Sequence, residues 1–204
     1  MNDYSGSGGG LSNPELIQRI KDGDRSTDSP FSPRNAIRTL LVKPPAILPR
    51  EEELLSSLLS SHIGDQDVPG DSVASPNWPY VAPGNWGASN ATSPKYHRDV
   101  DRLFEAEPKI HILWARGSHD LAVSNTAASD PGYLGLLGLI PGSPGKEIYP
   151  PQPMLDQTRA VLDKYAGLGG SYEEVVLQDA GHTAWLEKPD EFNAAFHKHI
   201  TEHD

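Results

Sequence analysis

Cysteine is absent from the 204 residues, which excludes disulfide frameworks, thiolate zinc sites and cysteine nucleophiles. No apolar run approaches the roughly 18 residues of a membrane-spanning helix, and the first residues lack the basic and apolar regions of a signal peptide. Basic residues are also few, since 17 Lys and Arg stand against 28 Asp and Glu and give a net charge of −11. A nucleic-acid partner or an anionic membrane surface is therefore not expected, and we expect a soluble, cytoplasmic protein.

Residues that interrupt regular structure are common, with 19 Gly and 19 Pro, and together with Ser they are denser in residues 1–108 than in 109–204. Helix-start residues and apolar spacing still predict three short helices in the first part. They run from Pro14 to near Gly23, from Pro33 to Leu41 and from Glu51 to Leu59. Residues 65–94 are predicted to form a loop anchored by Trp78, Tyr80 and Trp86. Residues 1–108 are thus predicted to be a helical and irregular region.

Residues 109–204 show the pattern of an α/β domain. Their predicted elements are a strand over Ile110–Trp114, a loop over residues 131–145, a helix over Met154–Tyr165, a strand over Tyr172–Leu177 and a last helix from Pro189. The residues of the last helix that are predicted to face inward are Phe192, Ala195, Phe196 and Ile200. Because a helix separates the two strands, we expect a crossover connection and a parallel strand pair.

Two polar loops follow these two strands. Asp120 lies in the first loop and His182 in the second. Loops that follow parallel strands meet at one edge of a sheet, so we expect Asp120 and His182 to approach each other. A carboxylate bonded to one imidazole nitrogen fixes the tautomer and leaves the other nitrogen as a general base. The sequence therefore predicts a catalytic pair, with a turn-stabilising acid and an ordinary loop histidine as the alternative.

The same loops resemble a known family. Residues Leu113 to Asp120 resemble the seventh strand and the acid-bearing turn of the α/β-hydrolase superfamily. Gly181 and His182, followed by Leu186 to Phe192, resemble its eighth strand, histidine loop and final helix. The resemblance covers roughly residues 108–201, and residues 1–107 resemble the lid that many members carry. It implies a partial α/β-hydrolase fold in which a lid-like helical and loop-rich half precedes a short parallel strand pair with helices.

The resemblance also implies a function. His182 would be the base and Asp120 its orienting acid in the hydrolysis of an ester or amide bond of a small-molecule substrate, with neither a cofactor nor a metal. Trp78, Trp86 and Trp185 are candidates for lining a substrate pocket, and for the first two the anchoring of a loop is the alternative.

One family feature is missing, because no Gly-x-Ser-x-Gly nucleophile elbow occurs in the sequence. We expect the chain to begin after the sixth strand of the family fold and its serine nucleophile to lie outside these residues. The strand at residues 110–114 would then have an open edge, which favours a partner chain or self-association. The alternative function is a catalytically inactive, truncated hydrolase-like protein that acts in binding or assembly.

Overall fold

The computed structural model describes residues 3–96 and 100–202 of the chain. Within them the helices are α1 (Pro14–Lys21), α2 (Pro33–Ala36), α3 (Glu51–Leu59), α4 (Ala88–Ala91), α5 (Asp101–Glu105), α6 (Pro131–Leu136), α7 (Met154–Gly167), α8 (Ala184–Glu187) and α9 (Pro189–Glu202). The strands are β1 (Ile63–Gly64), β2 (Val68–Pro69), β3 (Ser72–Ala74), β4 (Val81–Pro83), β5 (His111–Gly117) and β6 (Ser171–Leu177). None of the described helices is long and apolar enough to cross a membrane.

The described residues belong to two units that alternate along the chain. The first unit takes its residues from Met1–Ile37, Pro49–Arg98 and Pro131–Pro151. The second takes them from Arg38–Leu48, Asp99–Asp130 and Gln152–Asp204. Helices and a few short strands occur together, so the chain is a mixed α/β protein. A division at residue 108 stays a prediction.

The three helices predicted in the first part are present. Asn13 starts α1, because its side-chain oxygen accepts hydrogen bonds from the amides of Glu15 and Leu16 at 2.9 and 3.1 Å. A π-helical turn at Ile37–Leu41 follows α2, and Pro44 and Pro45 stop the helix from continuing. Helices α1, α2 and α3 contact one another, and Leu55 of α3 is fully buried. Helix-start residues together with apolar spacing therefore predict these elements.

Residues 65–94 differ from the predicted loop, because β3 and β4 form an antiparallel hairpin there and α4 follows it. Of the three predicted aromatic anchors only Trp78 is buried, whereas Tyr80 and Trp86 are each 60% exposed. The buried side chain of Asn90 holds the segment instead, since its amide donates to the carbonyl oxygens of Asp71 and Trp86 at 2.7 and 2.6 Å. The spacing of hydrophobic residues does not predict a buried, hydrogen-bonded side chain of this kind.

The second unit contains the predicted parallel pair. Strands β5 and β6 pair over seven residues, from His111 opposite Ser171 to Gly117 opposite Leu177. Strand β5 begins one residue later than predicted and continues three residues further, and α7 ends at Gly167 rather than at Tyr165. Among the described residues β5 and β6 pair only with each other, so each strand leaves one edge unpaired.

Helices cover both faces of this sheet. Glu174 of β6 accepts hydrogen bonds from Arg159 of α7 at 2.9 Å, whereas its neighbour Glu173 lies 3.7 Å from Lys198 of α9. Because neighbouring residues of a strand point to opposite faces, α7 and α9 lie on opposite sides of the sheet. The apolar core on the α9 side consists of Leu177, Ala180 and Ala184, with Ala115 and Phe192 packed against it.

Two predictions for residues 109–204 are wrong in part. The predicted loop over residues 131–145 holds α6, whose Gly135 is needed for close packing because a Cβ there would lie 2.8 Å from the Trp78 ring. On α9, Phe196 and Ile200 are 43% and 42% exposed rather than turned inward. Among the described strands only β5 and β6 lie beneath this helix, so its apolar stripe is wider than the surface that covers it.

Candidate functional site

Asp120 and His182 form a hydrogen-bonded pair at the edge of the sheet where β5 and β6 both end. The distance between Asp120 Oδ2 and His182 Nδ1 is 2.9 Å. The Asp120 side chain is 10% exposed and the His182 side chain 34% exposed. The structure thus brings together the two residues that the sequence singled out, with the acid shielded and the imidazole partly open to solvent.

Backbone amides fix the orientation of the Asp120 carboxylate. Its second oxygen, Oδ1, accepts hydrogen bonds from the amides of Ala122 and Val123 at 2.7 and 2.8 Å. Further along the same loop, the Asn125 side chain accepts from the amides of Leu155 and Asp156 at 3.0 and 3.3 Å and so caps the first turn of α7. The acid-bearing loop is therefore tied to the helix that links the two strands.

The loop that carries His182 is held by Glu187 of α8. One carboxylate oxygen accepts from the Gly181 amide at 2.7 Å and the other from the Lys43 amide at 2.9 Å. Thr183, on the other side of His182, donates from its amide to the Leu41 carbonyl at 2.9 Å. Both chain neighbours of the histidine are thus bonded through their backbone amides.

Glycine is required at the end of β5 and in the His182 loop, because the backbone of another segment lies against each position. A Cβ on Gly117 would lie 2.1 Å from the Gly181 carbonyl oxygen, and a Cβ on Gly181 would lie 2.7 Å from the Lys43 amide nitrogen. Both clashes would be with backbone atoms, which no change of rotamer relieves. Two backbone hydrogen bonds also join the β5 side to the β6 side here. The Ser118 amide donates to the Leu177 carbonyl at 3.0 Å, and the His119 amide donates to the Ala180 carbonyl at 2.9 Å.

The pKa values of the pair shift in opposite directions. Burial is the largest single influence on Asp120 and favours its neutral form, but hydrogen bonds from His182 and the Val123 amide outweigh it and lower the pKa. The hydrogen bond to Asp120 raises the pKa of His182 and outweighs the effect of its burial. Both shifts favour a carboxylate beside an imidazolium.

This arrangement also determines the histidine tautomer. An ionised carboxylate can only accept, so Nδ1 of His182 must be the nitrogen that donates to Asp120. In the neutral imidazole the proton then sits on Nδ1, and Nε2 is the basic atom. The carboxylate stabilises the imidazolium that forms when Nε2 takes up a proton. The pair has the parts of a general base.

Other polar side chains at this edge of the sheet have different partners. His119 bonds through Nδ1 to the hydroxyl of Ser118 at 2.8 Å and is exposed. Lys43 lies 3.1 Å from the carboxylate of Asp179. Trp185, which the sequence marks as a candidate for lining a substrate pocket, is 47% exposed. Over residues 3–96 and 100–202, no group of three or more His, Asp or Glu side chains could hold a metal ion.

Sequence reasoning missed Glu187 and Asn125, which hold the two loops. Asn125 binds amides 30 and 31 residues away and Glu187 binds the Lys43 amide 144 residues away, so no local spacing marks these roles. A search of family models, of curated proteins and of solved structures finds no match to this chain. The α/β-hydrolase resemblance therefore stays a prediction.

Replacement of Asp120 by Asn is expected to lower the pKa of His182 toward about 6.5, because the imidazolium loses its anionic partner. A titration of the His182 ring signals by NMR measures this change. Asp179→Asn is the matched control, since that carboxylate pairs with Lys43 and its loss should leave the His182 titration unchanged. An identical titration in Asp120→Asn and in the unmodified chain would contradict the assignment.

The same shifts predict how the pair contributes to stability. The contribution of Asp120, whose folded pKa is lowered, is present above its unfolded value and is lost as the pH falls through the folded pKa. The contribution of His182, whose folded pKa is raised, is present below its unfolded value and is lost as the pH rises through the folded pKa. In urea unfolding measured at several pH values, the pair should therefore contribute fully to the free energy of unfolding between about pH 4 and about pH 6.5.

Replacement of Glu187 by Gln should loosen the His182 loop. A carboxylate accepts from both amides, but a side-chain amide has only one acceptor oxygen and would turn its NH2 group toward the Gly181 or the Lys43 N–H. We expect a loss of roughly 1–3 kcal/mol in urea unfolding and faster hydrogen exchange at Gly181. The exposed Glu191, replaced by Gln, is the control and should change stability by less than about 0.5 kcal/mol. Equal effects of the two substitutions would contradict this role of Glu187.

Proposed function

We propose that this chain is an α/β-hydrolase-like protein in which His182 acts as the general base and Asp120 as its orienting acid. The reaction is the hydrolysis of an ester or amide bond of a small-molecule substrate. The sequence has no Gly-x-Ser-x-Gly motif, and the proposal assigns the serine nucleophile to residues outside these 204. The observation that carries the proposal is the 2.9 Å bond between Asp120 Oδ2 and His182 Nδ1.

Three features of the site support a catalytic role over a structural one. Oδ1 of Asp120 is occupied by two backbone amides, which leaves Oδ2 aimed at the imidazole. The imidazole is partly exposed, whereas the acid behind it is shielded. No hydrogen-bond partner of His182 Nε2 occurs in the part of the chain that the structure describes. A basic nitrogen is therefore available for a proton from outside the pair.

The chemistry follows from these positions. Nε2 of His182 removes the proton of the serine hydroxyl while the serine oxygen attacks the substrate carbonyl carbon. The resulting imidazolium, stabilised by Asp120, then donates that proton to the leaving alcohol or amine, and an acyl-enzyme forms. In the second half of the reaction Nε2 takes a proton from water, the water oxygen attacks the acyl group, and the serine recovers its proton.

The base can be tested with an activated ester, p-nitrophenyl acetate. Water attacks this ester when a base removes a proton from the water molecule. We expect the chain to accelerate release of p-nitrophenolate, with a rate that rises as the pH passes the pKa of His182. His182→Ala should remove this pH-dependent rate. His119→Ala, which removes an exposed neighbouring histidine, should retain it. The absorbance of p-nitrophenolate measures all three chains.

Two results would contradict the proposal. The first is an equal rate in His182→Ala and His119→Ala, because the hydrolysis would then not depend on the paired imidazole. The second is labelling of this chain alone by a fluorophosphonate, which reacts with activated serines. That result would place a nucleophile within these residues and overturn its assignment to residues outside them.

A second candidate function is binding or assembly without catalysis, and the unpaired edges of the β5–β6 sheet favour it. Exposed strand edges present free backbone donors and acceptors to another chain. The described part of the chain gives this sheet two strands, which is also small for an independent fold. The partner in this proposal is a second copy of the chain or a different chain that adds a strand to β5.

Self-association through the edge predicts a dimer or larger species in size-exclusion chromatography with light scattering. The apparent mass should fall toward 22.1 kDa on dilution, since edge pairing obeys mass action. A charge at the exposed residue that directly precedes β5, as in Ile110→Lys, should shift the equilibrium toward the monomer. A monomer at every concentration would exclude this mode of assembly.

A further inference from the structure

The first unit contains a cleft of about 580 Å³. Three segments form it: the N-terminal residues, the β3–β4 hairpin turn and residues 142–149. Its lining includes the aromatic side chains of Trp78, Tyr80 and Tyr149 and the carboxylate of Asp3. The volume lies in the range of small-molecule sites, which commonly combine aromatic walls with one or two polar groups.

Ring packing and hydrogen bonds hold two aromatic side chains of the cleft wall, Trp78 and Tyr149, in place. The rings of Trp78 and Tyr149 meet edge to face, with centroids 4.9 Å apart. The Tyr149 hydroxyl donates to the Ser5 carbonyl at 2.9 Å, and the Trp78 indole donates to the Pro141 carbonyl at 3.0 Å. These long-range bonds fix both aromatic side chains, so the cleft belongs to the packing of the unit.

Asp3 supplies a negative charge, and the described groups that bind its carboxylate are neutral. Its carboxylate accepts from the Ser75 hydroxyl at 2.5 Å, from the Asn77 amide at 3.1 Å and from the Ser5 backbone amide at 3.2 Å. The hydrogen bond from Ser75 is the main reason why the pKa of Asp3 is lowered. No Lys, Arg or His is among the described residues that line the cleft. The cleft thus combines an ionised acid with electron-rich rings.

Tyr80 adds a strained, exposed aromatic ring at the rim. Its backbone has a φ of 70°, in the left-handed region that bulky residues rarely adopt, and its side chain is 60% exposed. The turn that imposes this conformation is closed by the Tyr80 amide, which donates to the Asn77 carbonyl at 2.7 Å. Backbone strain of this kind is concentrated at ligand sites.

We propose that this cleft binds a small organic cation with an ammonium or quaternary ammonium head. The Asp3 carboxylate attracts the charge, and the faces of aromatic rings attract cations through their quadrupoles. An anionic ligand is disfavoured because it would meet a carboxylate and, among the described lining residues, no basic side chain. The proposal is independent of the catalytic role of His182.

Choline and its uncharged isostere 3,3-dimethylbutan-1-ol test the proposal. Each is titrated into the full chain, and the indole N–H signal of Trp78 is followed by NMR. Choline should shift that signal in a saturable way, with an affinity at least about tenfold above that of the alcohol. Asp3→Asn should weaken choline binding by about tenfold and Tyr80→Leu by severalfold.

Two matched variants separate the cleft from general electrostatics. Asp65→Asn removes one exposed carboxylate of the same unit, and Trp86→Leu removes an aromatic ring as exposed as Tyr80. Both should bind choline with unchanged affinity. The amide NMR spectrum of each variant checks that the variant is folded. Equal binding of choline and the alcohol, no saturable shift, or an equal loss in Asp65→Asn and Asp3→Asn would overturn the proposal.

Discussion

The parallel pairing of β5 and β6 is the constraint on which the rest of the second unit depends. Because Gly117 and Leu177 are opposite each other, both strands end at the same level and their loops begin side by side. Asp120 and His182 follow by three and five residues, within reach of a direct hydrogen bond. Pairing slipped by one residue would reverse which side chains face α7 and α9 and would move the loops apart.

Polar side chains convert this placement into a defined site. Asn125 and Glu187 each accept hydrogen bonds from two backbone amides, and each amide pair joins the site loops to another segment of the unit. The carboxylate of Asp120 likewise accepts hydrogen bonds from two backbone amides, those of Ala122 and Val123. Rigid loops matter because a general base acts only when its nitrogen is held within hydrogen-bond distance of the proton it removes.

The sequence predicted what local patterns encode. The helices α1, α3 and α7 and the strands β5 and β6 follow from caps and apolar spacing, and the order of the elements predicted the parallel pair that unites Asp120 with His182. It did not predict the role of Glu187, whose partner Lys43 is 144 residues away. Nor did it predict that Phe196 and Ile200 would stay exposed, because helical spacing does not reveal how many strands lie beneath a helix.

The proposed chemistry requires that Asp120 hold His182 in the tautomer that leaves Nε2 basic. The ¹⁵N chemical shifts of the His182 ring, measured by NMR above the pKa of its imidazolium, test this directly. The account predicts that Nδ1 carries the proton and that Nε2 shows the shift of an unprotonated nitrogen. A proton on Nε2, or the tautomer mixture of a free imidazole, would contradict it.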